Sequence, residues 1–330
     1  MDVRRRTFLG AALTGLAAAA SAQEWLPPTP AMGDPDLPAW PPKERLPLWP
    51  DGPSGAPAAP IKLDWTMNGP AGQRQLWIRG VPVPEINVYR ARDPDGSSVL
   101  VIPGGGYAFL SVQNEGINPA RELNARRTTA FVLTHRLPTE GWANRQLVPL
   151  QDAQRAMRLI RARATDYRID PTRLGVLGFS AGGHLAADLA VSHAKQTYAA
   201  ADAAERQSAR PAYVGLLYPV TTLIDAGLNS RSMENLLGAD GSDAAARARS
   251  PLEHVTRDTP PSFVGHAMND DIVPIAQSLR WAEALNSVGV PVESHFFSEG
   301  GHGFGVQLAK DLPGSRWPEL FSLWLRKHGG

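Results

Sequence analysis

One stretch limits the folding options of this chain more than any other. The apolar run Leu174-Gly175-Val176-Leu177 leads into Gly178-Phe179-Ser180-Ala181-Gly182-Gly183, and then into the helical His184-Leu185-Ala186-Ala187-Asp188-Leu189-Ala190. A strand, a tight glycine-flanked turn and a helix in that order call for a parallel sheet covered by helices. Glycines two before and two after Ser180 let neighbouring backbone crowd a sharp turn that lifts the serine hydroxyl above the sheet. The following helix points its positive end at the same spot.

After Pro60 the same alternation continues. Strands are expected over 99–102, 130–134, 174–177, 214–218, 262–265 and 292–297, and helices over 116–126, 149–165, 181–193, 275–288 and 317–326. In the second helix Ala153, Ala156, Met157, Ile160 and Ala164 share one face, while Arg155, Arg158, Arg161 and Arg163 read as a solvated one. Segments 195–210 and 225–250 read as loop or small helical insertions of the kind that roof a pocket. A chain of 330 residues, 43% hydrophobic and 20% charged, can bury a full core, and nothing calls for a repeat or a separate second domain.

A serine needs a histidine to take its proton and a carboxylate to hold that histidine in the right tautomer. Both types follow downstream, each after an expected strand. The strand at 262–265 runs into His266-Ala267-Met268-Asn269-Asp270-Asp271, which leaves two acids as candidates. The strand at 292–297 runs into Ser298-Glu299-Gly300-Gly301-His302-Gly303-Phe304-Gly305, where glycines on both sides let His302 reach across the sheet top. A third strand, 99–102, ends in Pro103-Gly104-Gly105-Gly106-Tyr107. This loop has little side chain to shield its amides, so the N–H groups of Gly105, Gly106 and Ala181 are the expected donors to an oxyanion. Tyr107, Asn114, Glu115 and Trp142 are expected lining of the substrate pocket. Asp152 reads as a helix-terminal or ion-pairing acid, and His135, His184, His193, His254, His266, His295 and His328 as packing or surface residues.

Composition removes whole classes of partner and chemistry. With 33 Lys+Arg against 32 Asp+Glu the chain has no basic excess for nucleic acid. Without cysteine there is no disulfide, thiolate metal site or cysteine nucleophile. No histidine pair has H-x-x-x-H or H-E-x-x-H spacing, so no metal is expected, and acyl transfer by a serine nucleophile calls for no cofactor. Residues 1–22 read as a cleaved targeting peptide: Arg4-Arg5-Arg6, an uncharged run from Thr7 to Ala20, and Ala20-Ser21-Ala22 as cleavage site. Arg5-Arg6-Thr7-Phe8-Leu9 resembles the twin-arginine pattern, so the mature chain is expected to be exported, periplasmic or secreted, and to have no membrane span. Residues 23–60, dense in proline with Trp25, Trp40 and Trp49 interleaved, read as an extended arm whose tryptophans pack onto the domain, with an aromatic sugar-binding edge as the alternative, and 61–330 as the catalytic domain.

Taken together, PGGGY at 103–107, HRLP at 135–138, PLQDAQRA at 149–156, GFSAGGH at 178–184, MNDDIVP at 268–274 and GGHGFG at 300–305 resemble the α/β-hydrolase superfamily. Within it they are similar to bacterial acetyl xylan esterases and hormone-sensitive-lipase-like esterases. The resemblance runs from about Ser98 to the C-terminal helix. It implies an α/β-hydrolase fold with a mostly parallel central sheet covered on both faces, and makes Ser180 the nucleophile, Asp270 the acid and His302 the base. Pro103 stands where the HGGG version of the loop has histidine, so roles of that histidine are not transferred. The implied reaction is hydrolysis of small-molecule or polysaccharide esters through an acyl-enzyme. A serine peptidase of the prolyl-oligopeptidase kind and a catalytically idle carbohydrate-binding relative are the alternative readings.

Overall fold

In a computed structural model of the chain, residues 29–224 and 231–328 are described. The targeting segment, Trp25 and part of the insertion at 225–250 lie outside them. Among the described residues the strands are β1 Thr29–Pro30, β2 Arg45–Pro47, β3 Asp64–Asn68, β4 Gln75–Arg79, β5 Glu85–Tyr89, β6 Ser98–Ile102, β7 Thr129–Thr134, β8 Leu174–Phe179, β9 Val214–Leu217, β10 Ser262–Ala267 and β11 Val292–Phe297. The helices are α1 Asn118–Ala125, α2 Val148–Ala162, α3 Ala164–Tyr167, α4 Ser180–Ser192, α5 Arg231–Leu237, α6 Asp243–Ala248, α7 Ala276–Ser287 and α8 Trp317–His328.

The main sheet has the order β11-β10-β9-β8-β6-β7-β5-β2. From β11 to β7 neighbouring strands are parallel, and β5 and β2 complete the edge antiparallel. Strands covered on both faces are apolar on both. In β6, Leu100 and Ile102 join the core with α2, α4 and α7, whereas Val99 and Val101 join the core with α1 and α8. The fold is a doubly covered, mostly parallel sheet, with β8 near its centre.

Five strands, β1 to β5, were not anticipated. β3 and β4 form a hairpin that pairs with β1 in a separate small sheet, and β5 pairs with β7. Their alternation is legible in Leu76-Trp77-Ile78 and Ile86-Asn87-Val88, but each run is short. The proline-rich segment also contributes a strand: β2 lies at the sheet edge, where proline is tolerated. Leu48 is fully buried, and Trp49 donates from Nε1 to Asp152 at 2.9 Å.

Of the arginines expected on a solvated face, Arg163 is exposed, but the others bond to segments laid over α2. Arg155 is 1% exposed, and its guanidinium binds Asp202 and Glu205 while its Nε donates to Leu48 O. Arg158 donates to the Tyr198 hydroxyl at 2.6 Å and Arg161 to Arg210 O at 2.5 Å. The 195–210 insertion and the arm cover this face, which periodicity within the helix alone does not reveal. Asp152 is an ion-pairing acid, fully buried against Arg136 at 2.8 Å.

Candidate active site

Ligands of open parallel sheets bind beyond the carboxyl ends of the strands, and here four strand ends converge. Ser180 follows β8 on the turn into α4. Its φ of +52° is a left-handed backbone that a non-glycine residue adopts only where the surroundings impose it. Two close approaches impose it. A Cβ on Gly178 would lie 2.2 Å from Gly182 O, and one on Gly182 would lie 2.2 Å from Ile102 O. Only glycine lets α4 press this closely against β8 and β6.

Asp270 lies in the loop after β10, and His302 in the loop after β11. The two loops meet because β10 and β11 are paired through Ala267 and Phe297. Ser180 Oγ donates to His302 Nε2 at 2.9 Å, and His302 Nδ1 donates to Asp270 Oδ2 at 2.7 Å, with donor roles assigned from the bonding network. Asp270 Oδ1 accepts the N–H groups of Ile272 at 2.9 Å and Val273 at 2.8 Å, which fixes the carboxylate plane. Burial alone would raise the Asp270 pKa. Hydrogen bonds from His266, His302 and Val273, with the charge of His302, outweigh it and hold the group well below the usual carboxylate range. Asp271 is exposed, and the carboxylate bonded to His302 is that of Asp270.

The structure brings Gly105 and Gly106 to the same cleft as Ser180 and His302. Their N–H groups, and that of Ala181 in the first turn of α4, meet no acceptor among the described residues. The loop itself is tightly held. Gly104 N–H donates to Glu115 Oε2 at 2.8 Å, Ala108 N–H donates to Gly105 O at 3.0 Å, and Asn235 Nδ2 of α5 donates to Gly106 O at 2.8 Å.

Of the four expected lining residues, Asn114 and Glu115 border the cleft and Tyr107 and Trp142 do not. Tyr107 is buried behind the loop, donating from its hydroxyl to His184 Nδ1 at 2.7 Å, because its positive φ of 60° turns the ring inward. Trp142 packs with Arg136 and donates to Glu140 at 3.0 Å, away from the cleft. Asn114 Nδ2 donates to Gly303 O at 2.6 Å and so holds the histidine loop.

Sequence reasoning missed the supporting role of three residues. Glu115, on a wide π-type turn over Gln113–Ile117, accepts from Gly104 N–H with one oxygen and from the Tyr218 hydroxyl with the other at 2.9 Å. Tyr218 in turn accepts Gly305 N–H at 2.9 Å, so one buried carboxylate ties the oxyanion loop to the histidine loop. Burial raises the Glu115 pKa, and the charge of His302, Gly104 N–H and Tyr218 partly offset this. The third is His266, read as a packing residue. It donates from Nε2 to Asp270 Oδ2 at 3.0 Å and accepts the Ser278 hydroxyl on Nδ1 at 2.7 Å. Its spacing of four residues from Asp270 at a strand end was the one available signal. Among the described residues no group of three or more His, Cys, Asp and Glu is placed to hold a metal ion.

The cleft has a volume of about 1360 Å³. Besides Ser180 and His302 it is bordered by Val220 and Leu223, by Ser232, Met233 and Asn235 of the 225–250 insertion, and by the β3–β4 hairpin. A serine–histidine–aspartate arrangement above the centre of a doubly covered parallel sheet defines the α/β-hydrolase class of fold. A family model described as BD-FAE matches residues 86–285, and this chain belongs to that family. Endo-1,4-beta-xylanase B of Butyrivibrio fibrisolvens is 35% identical over 226 residues, 68% of this chain and 34% of that protein. The acetylxylan esterase of Xylanibacter ruminicola is 28% identical over 232 residues, 67% of this chain and 45% of that protein. The chain thus spans between a third and a half of these relatives. The crystal structure of an acetyl ester-xyloside bifunctional hydrolase from Caldicellulosiruptor lactoaceticus superposes with a TM-score of 0.72 at 32% identity, over 88% of this chain and 97% of that one.

Proposed function

We propose that this chain is a serine esterase that hydrolyses carboxylic esters, with acetyl or other short acyl groups on carbohydrate as its substrates. The observation that carries the reading is His302 hydrogen-bonded to both Ser180 Oγ and Asp270 Oδ2. The carbohydrate assignment is supported by the relatives named for xylan and acetylxylan.

In the first half-reaction Ser180 Oγ bonds to the ester carbonyl carbon as its proton passes to His302 Nε2. The carbonyl oxygen takes the negative charge and is received by the amides of Gly105, Gly106 and Ala181. One such donor contributes about 10² to 10³ in turnover in related chemistry. As the carbonyl re-forms, the alcohol leaves with the proton from His302. A water that gives its proton to His302 then attacks the acyl-enzyme, and the carboxylic acid departs as Ser180 regains its proton. Asp270, held ionised, orients His302 and stabilises its cationic form. No cofactor takes part.

Ser180→Ala is expected to lower turnover of p-nitrophenyl acetate by about 10⁴-fold or more. A purified variant with the wild-type rate would overturn the assignment. Across p-nitrophenyl esters of rising chain length kcat/KM is expected to be highest at acetate, and acetylated xylan is expected to release acetate. We also infer export on the strength of residues 1–22: deleting them is expected to abolish delivery outside the cytoplasm. Among the described residues no helix is long and apolar enough to cross a membrane.

A further inference from the structure

The cleft continues beyond the catalytic centre onto a surface that the family match, beginning at residue 86, does not include. Leu76 and Ile78 of β4 are buried in the core, so strand alternation turns Gln75, Trp77 and Arg79 to the opposite face, and all three border the cleft. Trp77 stacks on Phe109 with ring centres 3.8 Å apart and planes 13° from parallel. The Arg79 guanidinium carbon lies 5.8 Å from the Trp77 ring and 5.4 Å from the Phe109 ring. Such similar distances put it beside the stack rather than over it.

This wall is fixed relative to the triad. Ile78 and Leu110 exchange backbone hydrogen bonds at 3.0 and 2.8 Å, and Leu76 N–H donates to Gln113 Oε1 at 2.8 Å. Gln75 Nε2 donates to Gln307 Oε1 at 2.5 Å, five residues beyond His302. On the far side Asp34 pairs with Arg74 at 2.6 Å, and Asp36 accepts Gly72 N–H at 2.7 Å. The hairpin is thereby clamped to the oxyanion side, the histidine loop and the N-terminal segment together.

Size and chemistry select the occupant. The volume of about 1360 Å³ exceeds the roughly 300–1,000 Å³ typical of a site for one compact ligand. A long acyl chain calls for continuous apolar lining, whereas this wall alternates amide, aromatic and guanidinium groups. A chain of sugar rings presents apolar C–H faces edged by hydroxyls, which an aromatic ring and planar polar groups along one strand can meet together.

We propose that the outer face of the β3–β4 hairpin, with Trp77 at its centre, is a subsite for the glycan chain next to the acylated sugar. The protein therefore favours acylated oligo- or polysaccharides over monosaccharide esters. This rests on the esterase reading but is tested apart from it, on Ser180→Ala protein that cannot turn substrate over. In calorimetric titrations with acetylated xylo-oligosaccharides, affinity is expected to rise by about tenfold or more from monosaccharide to hexasaccharide. Trp77→Ala and, separately, Arg79→Gln in the same background are expected to flatten that rise. Thermal unfolding of each variant identifies a change that merely disturbs the fold. Affinity independent of length, or a rise that survives both substitutions in folded protein, would overturn the subsite. If length-dependent binding is present but the wild-type chain releases no acetate from any ester, the subsite stands and the esterase reading falls.

Discussion

Asp270 concentrates the electrostatics of the site in one residue. Its carboxylate receives two backbone N–H groups and two imidazoles with its side chain fully buried. Asparagine there would turn a donor toward His302 or His266, so Asp270→Asn is expected to lower kcat by about 10⁴-fold, as the wrong tautomer does in other triads. The depressed pKa also has a stability consequence. Because the folded value lies below the ordinary 3.8, the contribution is complete above that value and is lost as pH falls toward the folded one. The difference in urea midpoint between wild type and Asp270→Asn is therefore expected to narrow as pH falls below about 4. Most of this centre was legible as local pattern: a serine, an acid and a histidine, each in a loop that glycine or turn residues mark. Glu115, Tyr218 and His266 were not legible as a set, because each acts through a partner that lies distant in the chain or beside it in an unmarked context. No periodicity reports that a carboxylate at 115 meets an amide at 104 and a phenol at 218.

Elements contribute by how closely they approach. α4 begins at the nucleophile and crosses the end of β6, and Gly182 is the contact point: a Cβ there would lie 2.2 Å from Ile102 O and 2.5 Å from Pro103 O. Both obstacles are backbone, so neither can swing aside, and the loop bearing Gly105 and Gly106 would have to move instead. Gly182→Ala is accordingly expected to cost about 1–3 kcal/mol of stability. It is also expected to lower kcat by about 10²-fold through displacement of the amide donors. Equilibrium unfolding and steady-state kinetics on one preparation check both. The glycine pattern was visible in the sequence, whereas the identity of its neighbour was not. The same holds for α2, where Arg155 falls on the polar side of the helical wheel yet is buried, because a segment some fifty residues downstream supplies Asp202 and Glu205. Helical periodicity reads burial by the sheet; it does not see a second layer laid over the opposite face.

At the scale of the molecule, the proline-rich segment adds a strand to the edge of the main sheet. β2 covers the edge of β5, Leu48 is fully buried in the core, and Trp49 bonds to the Asp152 that pairs with Arg136. Removing residues 1–60 is expected to strip these contacts at a cost of several kcal/mol, about 2–5 for a buried leucine alone. Soluble yield and urea midpoint relative to the full chain measure the loss. The sequence by itself determined the alternation of strands and helices, the parallel character of the sheet, and the order of serine, acid and histidine along the chain. All of these are written in short windows, where hydrophobic period, glycine placement and turn chemistry act locally. The tertiary structure alone decided which strands are neighbours, which carboxylate holds the loops together, which arginines are buried, and that a hairpin outside the family match walls the cleft. Those are outcomes of contacts between residues tens to more than a hundred positions apart, whose energies depend on the assembled packing and leave no trace in any one window.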